Sequence, residues 1–385
     1  MESKKYMIKL VADTIDRKDL KALSDWMLSE PSPQLTKGDL TRELEAKWSE
    51  KIHIRYSVFV NSGSSAILLT LAALQHLSKA KLKVVTSALS WATDVSSPML
   101  LGCETILCDC NLQDLSVDLK ELEKIFIRDK PDVFILVTPL GLVPKFYEIL
   151  RLCNKYDVEL LNDSCESMGS KIGGLNFSKF GLATFYSMYF GHHISTIEGG
   201  FISTNNEELY HLLLMMRSHG WDRDLPHDKQ QELRQGKNDF ESLYDFYVPA
   251  FNLRSTDLQA FLGLRAIDKL DKIVEVRQRN YLYYREKLKV NELDLSHDPN
   301  NTISNFAYPV VSKNRKEIVN RLRSNNIEVR PLIAGNMANK PFWKGINNFP
   351  NADIIDKYGF YLPNHLELSL DDIDLICNIV NYDNF

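Results

Sequence analysis

The chain has 385 residues with 46 Lys plus Arg against 51 Asp plus Glu, a formal charge of −5 at pH 7. This balance excludes a strongly basic nucleic-acid-binding protein, and 44% hydrophobic residues exclude a chain that is mainly disordered. No apolar run approaches the roughly 20 residues of a membrane helix, and the first residues do not resemble a secretory signal. We therefore predict a cytoplasmic protein without a membrane segment.

Six cysteines are scattered along the chain, and only Cys103, Cys108 and Cys110 cluster. No second pair of Cys or His residues stands at a spacing that would complete a zinc or iron–sulfur site. In a cytoplasmic chain of this size, reduced thiols are expected rather than a disulfide framework. We predict no metal site.

The first part of the chain, residues 1–250, has the pattern of a large α/β domain with an N-terminal helical segment, 1–35. Apolar spacing predicts a helix over 8–30 that Pro31 and Pro33 end, and a second helix over 39–50. Short apolar runs then alternate with amphipathic ones: strand 57–60, helix 64–77, strand 83–86, helix 116–127, strand 133–137, helix 145–155 and strand 158–162. This alternation predicts a largely parallel sheet.

Two further strands, 183–188 and 200–204, and a helix over 206–217 follow, and the polar stretch 222–240 is predicted to be an exposed excursion. Residues 251–385 are predicted to form a smaller α+β domain. Its expected elements are a long helix from about 264 to 288, a strand at 307–311, a helix at 315–325 and a terminal helix at 370–380.

The first candidate motif is Phe59-Val-Asn-Ser-Gly-Ser-Ser-Ala66, a strand that runs into a helix through small residues. Free amide hydrogens and the helix dipole favour a phosphate at such a helix start. Gly63 would permit close approach of the backbone, and Ser64 adds a hydroxyl donor. The alternative is an ordinary serine cap.

The second candidate is Leu160-Leu-Asn-Asp-Ser-Cys-Glu166, in which a strand ends at a carboxylate. Ligands of open parallel sheets gather outside the carboxyl ends of the strands, so Asp163 is placed where a cofactor contact is expected. A cap for the next segment explains the same residue equally well.

The third candidate contains the adjacent residues His192 and His193 before the glycine pair Gly199-Gly200. Neighbouring side chains of an extended segment point to opposite sides, which makes the two histidines poor joint metal ligands. We expect one of them to be buried and the other to be free for another role.

In this order the motifs resemble the DegT-type sugar aminotransferase family, which has the aspartate aminotransferase (type I) fold and uses pyridoxal 5′-phosphate (PLP). The resemblance covers nearly the whole chain. It rests on Leu35-Thr-Lys-Gly38, Asn61-Ser-Gly-Ser64, Trp91-Ala-Thr93, Asn162-Asp-Ser-Cys-Glu166, Glu198-Gly-Gly200, Phe251-Asn-Leu-Arg254 and Tyr361-Leu-Pro-Asn364.

The resemblance implies a role for several residues. Gly63, Ser64 and Ser187 would hold the cofactor phosphate. Trp91 would stack on the pyridine ring, and Asp163 would pair with the ring nitrogen, which favours the ring as an electron sink. The family also implies a homodimer with shared active sites, in which Asn252 and Arg254 reach into the partner's site.

One departure from the family pattern concerns the lysine that binds the cofactor covalently. The family places it five residues after the phosphate-binding serine and six before the Glu-Gly-Gly acid, a position that His192 occupies here. Lys171 and Lys179 precede Ser187 and cannot be assumed to substitute. Imidazole cannot provide the amine of that bond, but it moves protons near neutral pH.

The histidine and its neighbours resemble the 3-dehydratases of this family that act on GDP-4-keto-6-deoxymannose, in the synthesis of colitose for lipopolysaccharide O-antigens. A related branch that acts on CDP-hexoses holds an iron–sulfur cluster with four cysteines, but here Cys377 is the only cysteine after His192. The resemblance thus implies pyridoxamine 5′-phosphate as the working cofactor, L-glutamate as amino donor and no iron–sulfur reductase. Arg254 would clamp a carboxylate.

Several roles stay open on sequence alone. Glu166 would orient the cofactor ring oxygen or cap a turn. His219, Arg223 and Arg330 would contact the sugar or the diphosphate, or form surface ion pairs. The alternatives to a dehydratase are a nucleotide-sugar aminotransferase that uses another lysine and a non-catalytic relic of the fold.

Overall fold

The structure, a computed structural model, describes residues 8–238, 240–295 and 298–382. Their strands, in chain order, are β1 (Tyr56–Val60), β2 (Lys83–Ser87), β3 (Glu104–Cys108), β4 (Val133–Val137), β5 (Glu159–Asp163), β6 (Lys171–Ile172), β7 (Leu175–Asn176), β8 (Ala183–Ser187), β9 (Gly200–Thr204), β10 (Tyr308–Val311), β11 (Arg330–Pro331) and β12 (Gly359–Leu362).

The α-helices of the described residues connect and cover these strands. In chain order they are α1 (Arg17–Met27), α2 (Asp39–Ile52), α3 (Gly63–Ser78), α4 (Ala92–Leu100), α5 (Leu119–Asp129), α6 (Phe146–Tyr156), α7 (Glu207–Arg217), α8 (His227–Leu233), α9 (Asp257–Ile267), α10 (Leu270–Lys287), α11 (Arg315–Ser324), α12 (Pro350–Tyr358) and α13 (Leu370–Val380).

The large sheet has the strand order β1-β9-β8-β5-β4-β2-β3. Strands β3, β2, β4, β5 and β8 run parallel, whereas β9 is antiparallel to both β8 and β1. The register pairs Asp163 with Phe185 on β8 and Ser187 with Gly200 on β9. The carboxyl ends of β5 and β8 and the start of β9 therefore meet at one edge, where ligands of such sheets bind.

Helices cover both faces of this sheet. Ile67 and Leu71 of α3 and Leu213 of α7 belong to the apolar core on one face. Phe126 of α5 and Ile149 of α6 belong to the core on the other face. The sheet is thus buried on both sides, which explains why its strands are nearly continuous apolar runs.

A second, three-stranded antiparallel sheet with the order β10-β12-β11 lies in the C-terminal part. Its core also contains Leu10, Leu89 and Leu107 from the first half of the chain. Helix α9 packs against α2 and α1. The α/β architecture with a mostly parallel mixed sheet is as predicted, and the domain boundary after residue 250 stays a prediction.

The predicted helix 8–30 is wrong at its start. Asp16 caps α1 by accepting hydrogen bonds from the amides of Lys18 and Asp19, so the helix begins at Arg17. Ile8 instead pairs with Ile327 as a short extended bridge. A helix start is fixed by its capping residue, and apolar spacing alone does not locate it.

The predicted helix 264–288 is also corrected, because it consists of the end of α9 and all of α10, separated at residues 268–269. Sequence reasoning missed α4, which contains Pro98 and several polar residues of low helix propensity. The predicted strands at 133–137 and 200–204 are confirmed with the same bounds.

None of the helices in the described residues is long and apolar enough to cross a membrane. The cytoplasmic location stays a prediction.

Candidate active site

A cavity of about 400 Å³ opens at the carboxyl-end edge of the large sheet. Eight of the twelve residues that sequence analysis singled out line it: Gly63, Ser64, Trp91, Asp163, Glu166, Ser187, His192 and Arg330. The other four, His219, Arg223, Asn252 and Arg254, are not among its lining residues. Most of the predicted site is thus one connected pocket.

The start of α3 forms one wall of the cavity. Ser62 caps the helix, and its side chain accepts a hydrogen bond from the amide of Ser65 at 3.0 Å. A Cβ on Gly63 would lie 2.6 Å from Sγ of Cys165 and 3.1 Å from Cβ of Ser187. Only glycine permits this approach, which leaves the first amides of the helix facing the cavity.

Two strand ends contribute the next wall. Asp163 ends β5 and is 6% exposed, and one of its carboxylate oxygens accepts the Cys165 amide at 2.9 Å. Ser187 ends β8 and is also 6% exposed. Both residues line the cavity at the edge of the sheet where ligands of parallel sheets bind.

Asp94 is a site residue that sequence analysis missed. It is fully buried in the first turn of α4, where its carboxylate accepts the Trp91 amide at 3.2 Å. Burial, and then the negative charge of Asp163, raise the pKa of Asp94 well above its ordinary value. The raised pKa favours the neutral form of Asp94 beside Asp163. The only sequence signal was a carboxylate three residues after Trp91, the pattern of a helix cap.

Glu166 faces the cavity and also holds a turn. Its Oε2 accepts a hydrogen bond from the Leu140 amide at 2.9 Å, and Leu140 has a positive φ of 55°. Removal from water raises the pKa of Glu166 to about 7, a shift that the negative charge of Asp163 increases. Of the two roles that the sequence left open for Glu166, the structure contains the turn contact, and the residue also lines the cavity.

His192 lies in the cavity wall between Tyr189 and Phe306, with ring centroids 5.9 Å and 5.2 Å away. Its Nδ1 is buried and has no hydrogen-bond partner in the part of the chain that the structure describes. Burial, and then the positive charge of Arg277, lower the pKa of His192 to about 4. The imidazole is therefore neutral near pH 7.

His193 points away from the cavity and is fully buried. Its Nε2 donates a hydrogen bond to the Ser304 carbonyl at 2.9 Å. The two histidines thus have different surroundings, as expected. No lysine within the described ranges lines the cavity; Lys171 lies on β6, and Lys179 donates to the His53 carbonyl.

The four predicted residues outside the cavity share a second cluster. The Arg223 guanidinium lies 4.0 Å from the ring centroid of Trp221, and that of Arg254 lies 5.6 Å from the same ring. His219 packs edge-on against Trp221 at 5.0 Å. Nε of Arg254 donates to the side-chain oxygen of Asn252 at 3.0 Å. No carboxylate pairs with Arg254 among the residues described.

The DegT/DnrJ/EryC1/StrS aminotransferase family matches residues 14–381 of the chain. GDP-4-keto-6-deoxy-D-mannose 3-dehydratase from Escherichia coli O55:H7 is 31% identical over 96% of this chain and 98% of its own length. The enzyme of the same name from Yersinia pseudotuberculosis is 32% identical over 97% of each chain.

A crystal structure of GDP-4-keto-6-deoxymannose-3-dehydratase with a trapped PLP–glutamate geminal diamine superposes with a TM-score of 0.89 at 30% identity. The superposition covers 97% of this chain and 100% of the chain in that crystal structure. The predicted type I fold of PLP-dependent enzymes is thereby confirmed. The chain belongs to the DegT/DnrJ/EryC1/StrS aminotransferase family.

Proposed function

We propose that the protein is a PLP-dependent 3-dehydratase that removes the carbon-3 hydroxyl of GDP-4-keto-6-deoxymannose, in the synthesis of a 3,6-dideoxysugar. One observation carries the proposal: His192 lines the cavity that holds the family's cofactor-site motifs, and no lysine of the described residues does so. The similarity to two 3-dehydratases over nearly the full length of each chain supports it.

The residues of the cavity fit the cofactor. The amides at the start of α3 and the hydroxyls of Ser64 and Ser187 suit a phosphate, and the missing side chain of Gly63 leaves room for it. Asp163 is a carboxylate suited to a protonated pyridine nitrogen, and Trp91 is 55% exposed beside it, free to cover a ring. When bound as pyridoxamine 5′-phosphate, the cofactor supplies an amine for the sugar ketone and a ring that accepts electron density.

His192 is the acid–base residue of this proposal. Its lowered pKa keeps the imidazole neutral at pH 7, so it is ready to accept a proton, and its unpartnered Nδ1 leaves one ring nitrogen free of competing bonds. The proton that it accepts is available for the departing carbon-3 hydroxyl, which leaves as water. Phe306 and Tyr189 shield the ring from solvent.

Two carboxyl groups with raised pKa values, Asp94 and Glu166, lie beside Asp163, the carboxylate that would meet the pyridine nitrogen. The raised pKa of Asp94 favours its neutral form, which can donate a hydrogen bond to the Asp163 carboxylate. Glu166, with a pKa of about 7, is suited to a hydrogen bond with the ring oxygen of the cofactor. Arg330, which also lines the cavity, offers a cation for the substrate diphosphate or for a glutamate carboxylate.

The cluster around Trp221 would complete the site of a second subunit. Asn252 and Arg254 lie outside their own cavity, and the described residues provide Arg254 with no carboxylate. A homodimer with shared sites would place this guanidinium beside the partner's substrate or L-glutamate, and His219 and Arg223 would join it.

The assay that tests the function uses the purified protein with pyridoxamine 5′-phosphate, L-glutamate and either GDP-4-keto-6-deoxymannose or a CDP-linked 4-keto-6-deoxyhexose. We expect loss of the carbon-3 hydroxyl from the GDP sugar and formation of 2-oxoglutarate, without added iron or reductase. A stable 4-amino sugar as product would instead identify an aminotransferase. No turnover with retained cofactor binding would favour a relic of the fold.

A further inference from the structure

Arg277 of α10 is a buried cation that the mechanism above does not use. It is 3% exposed, and no carboxylate in the described part of the chain lies within ion-pair distance of its guanidinium. A buried charge without a counter-ion is costly unless several hydrogen bonds compensate it. Its position therefore requires an explanation.

The hydrogen bonds of the Arg277 guanidinium within the described residues all go to backbone carbonyls, and its Nε has no hydrogen-bond partner there. Nη1 donates to the carbonyls of Asn305 at 3.2 Å, Phe306 at 2.7 Å and Asn364 at 2.5 Å, and Nη2 donates to the carbonyl of His192 at 3.2 Å. One planar group thus connects residues 189–192, the histidine turn, with two segments of the C-terminal part. The fixed, planar arrangement of guanidinium donors suits hydrogen bonds to carbonyls of several segments at once, whereas a lysine ammonium lacks this arrangement.

The same contacts continue to the opposite wall of the cavity. The side chain of Asn305 donates to the Leu140 carbonyl at 2.7 Å, and the Leu140 amide donates to Glu166. Asn364, the last residue of the Tyr361-Leu-Pro-Asn364 motif, donates to the carbonyls of Arg277 and Asn305, each at 3.0 Å. This motif, which the cofactor argument leaves without a role, therefore supports the arginine.

We propose that Arg277 is the positioning residue of His192: it fixes the histidine turn against the segment that contains Phe306 and the turn that Glu166 holds. The inference rests on the proposed function, in which His192 moves the proton. Because no counter-ion in the described residues compensates Arg277, its charge also opposes a proton on the imidazole and adds to the effect of burial, which is the larger cause of the low pKa of His192.

Other groups also face His192, and the test must leave them unchanged. His193 and Cys165 lie next to it, and Tyr189 packs against its ring. The remaining titratable groups that line the cavity are Asp163, Glu166, Glu198, Arg330 and Tyr361. Substitutions at Arg277 alter none of them, so a comparison of two variants isolates the arginine.

The test uses the full chain with Arg277→Lys and Arg277→Met, and with Arg285→Met as control, since Arg285 is an exposed arginine of the same helix. NMR of ¹⁵N-histidine-labelled protein between about pH 3.5 and 8, a range that includes the pKa of about 4 of His192, follows the protonation of this residue. Its signal is assigned by its loss in His192→Asn. The dehydration assay gives kcat and KM.

We expect Arg277→Lys to keep the low pKa of His192 but to lose roughly 10- to 100-fold in kcat with little change in KM. The lysine keeps the positive charge but cannot form the same hydrogen bonds to the backbone carbonyls. Arg277→Met should raise that pKa by about one unit or more and also lower kcat. Arg285→Met should change neither. A purely structural role would leave the pKa of His192 unmoved.

A folded Arg277→Met variant in which His192 keeps its low pKa overturns the proposal, as does an Arg277→Lys variant with the full kcat. If Arg277→Met does not fold, the kcat of Arg277→Lys decides between the proposal and its rejection. The NMR measurement needs no turnover, so it tests the role of Arg277 independently of the proposed function. A failure of the proposed function would instead appear as an unchanged dehydration rate in His192→Asn.

Discussion

Gly63 and Cys165 approach each other so closely that a Cβ on the glycine would lie 2.6 Å from the cysteine sulfur. Gly63→Ala should therefore weaken pyridoxamine 5′-phosphate binding, because the new methyl group must displace Cys165 or tilt the start of α3. Overpacking of this kind costs about 1–3 kcal/mol, or roughly 10- to 100-fold in affinity. An absorbance titration measures it.

The matched control is the double variant Gly63→Ala/Cys165→Ala. Removal of the sulfur relieves the closest contact and should restore part of the affinity, although Cβ of Ser187 still lies 3.1 Å from the new methyl position. Equal affinities in the single and double variants would show that the approach of these two residues does not shape the phosphate site.

Glu166 should give the cofactor-free protein a specific pH dependence of stability. Its pKa is about 7 in the folded chain, above the ordinary 4.5, so the fold favours the neutral acid. The stabilisation is complete below about pH 4.5 and is lost as the pH rises through 7. Relative to Glu166→Gln, which cannot ionise, the wild type should lose on the order of 3 kcal/mol across this range. Denaturant unfolding at several pH values measures the difference, and parallel profiles would contradict the assignment.

The shared-site proposal predicts complementation between two inactive chains. Mixed dimers of His192→Asn and Arg254→Ala contain one site with both defects and one with neither, so random exchange should restore about a quarter of wild-type activity. The first control is a mixture of His192→Asn with Ser187→Ala, which both line the same chain's cavity; each site of a mixed dimer then keeps one defect, so this mixture should stay inactive. The second control is a mixture of Arg254→Ala with Asn252→Ala, two residues that would both reach into the partner's site, and it should also stay inactive.

The mixture of His192→Asn with Arg254→Ala decides whether Arg254 completes the partner's site or its own chain's site. If subunit exchange is proven and His192→Asn with Arg254→Ala recovers nothing, Arg254 serves its own chain's site.

Arg217 should be important for stability without touching the cavity. It is fully buried, donates to Glu45, and lies 3.0 Å from Asp224, which in turn lies 2.6 Å from Nζ of Lys37. Arg217→Ala leaves the buried carboxylate of Glu45 and the partly buried carboxylate of Asp224 without this cation and should cost about 3–5 kcal/mol of unfolding free energy.

The control for Arg217 is Lys155→Ala, which removes an ion pair whose side chains are 52% and 36% exposed. Such surface pairs contribute about 0–1 kcal/mol. Equal losses in the two variants, measured by denaturant unfolding, would contradict the role of the buried network.

The part of the site that sequence analysis predicts is the part that depends on local pattern. Asp163 and Ser187 stand at the ends of apolar strands, and parallel strand ends meet at one edge of a sheet, so their proximity follows from the alternation of elements. His192 was found by its spacing from Ser187 and Glu198 within a known family pattern.

The residues that were missed depend on tertiary contacts instead. Asp94 matters because it is buried beside Asp163, which lies far from it in the sequence. Arg277 falls on the same helical face as Ile273 and Tyr281, unlike Arg279 and Arg285, so the spacing could have placed it on the buried face. The spacing does not reveal which groups the buried guanidinium binds. Such roles follow only from the packing of α10 against the histidine turn.

The most direct test of the account is the single-turnover rate of dehydration in His192→Asn loaded with pyridoxamine 5′-phosphate. The asparagine keeps a polar side chain but cannot titrate, so cofactor absorbance should persist while the rate falls roughly 100- to 10,000-fold, the usual contribution of a positioned acid–base group. His193→Asn, which changes the buried neighbour that binds Ser304, should keep the chemistry far better. A wild-type rate in His192→Asn would contradict the central claim that this histidine moves the proton.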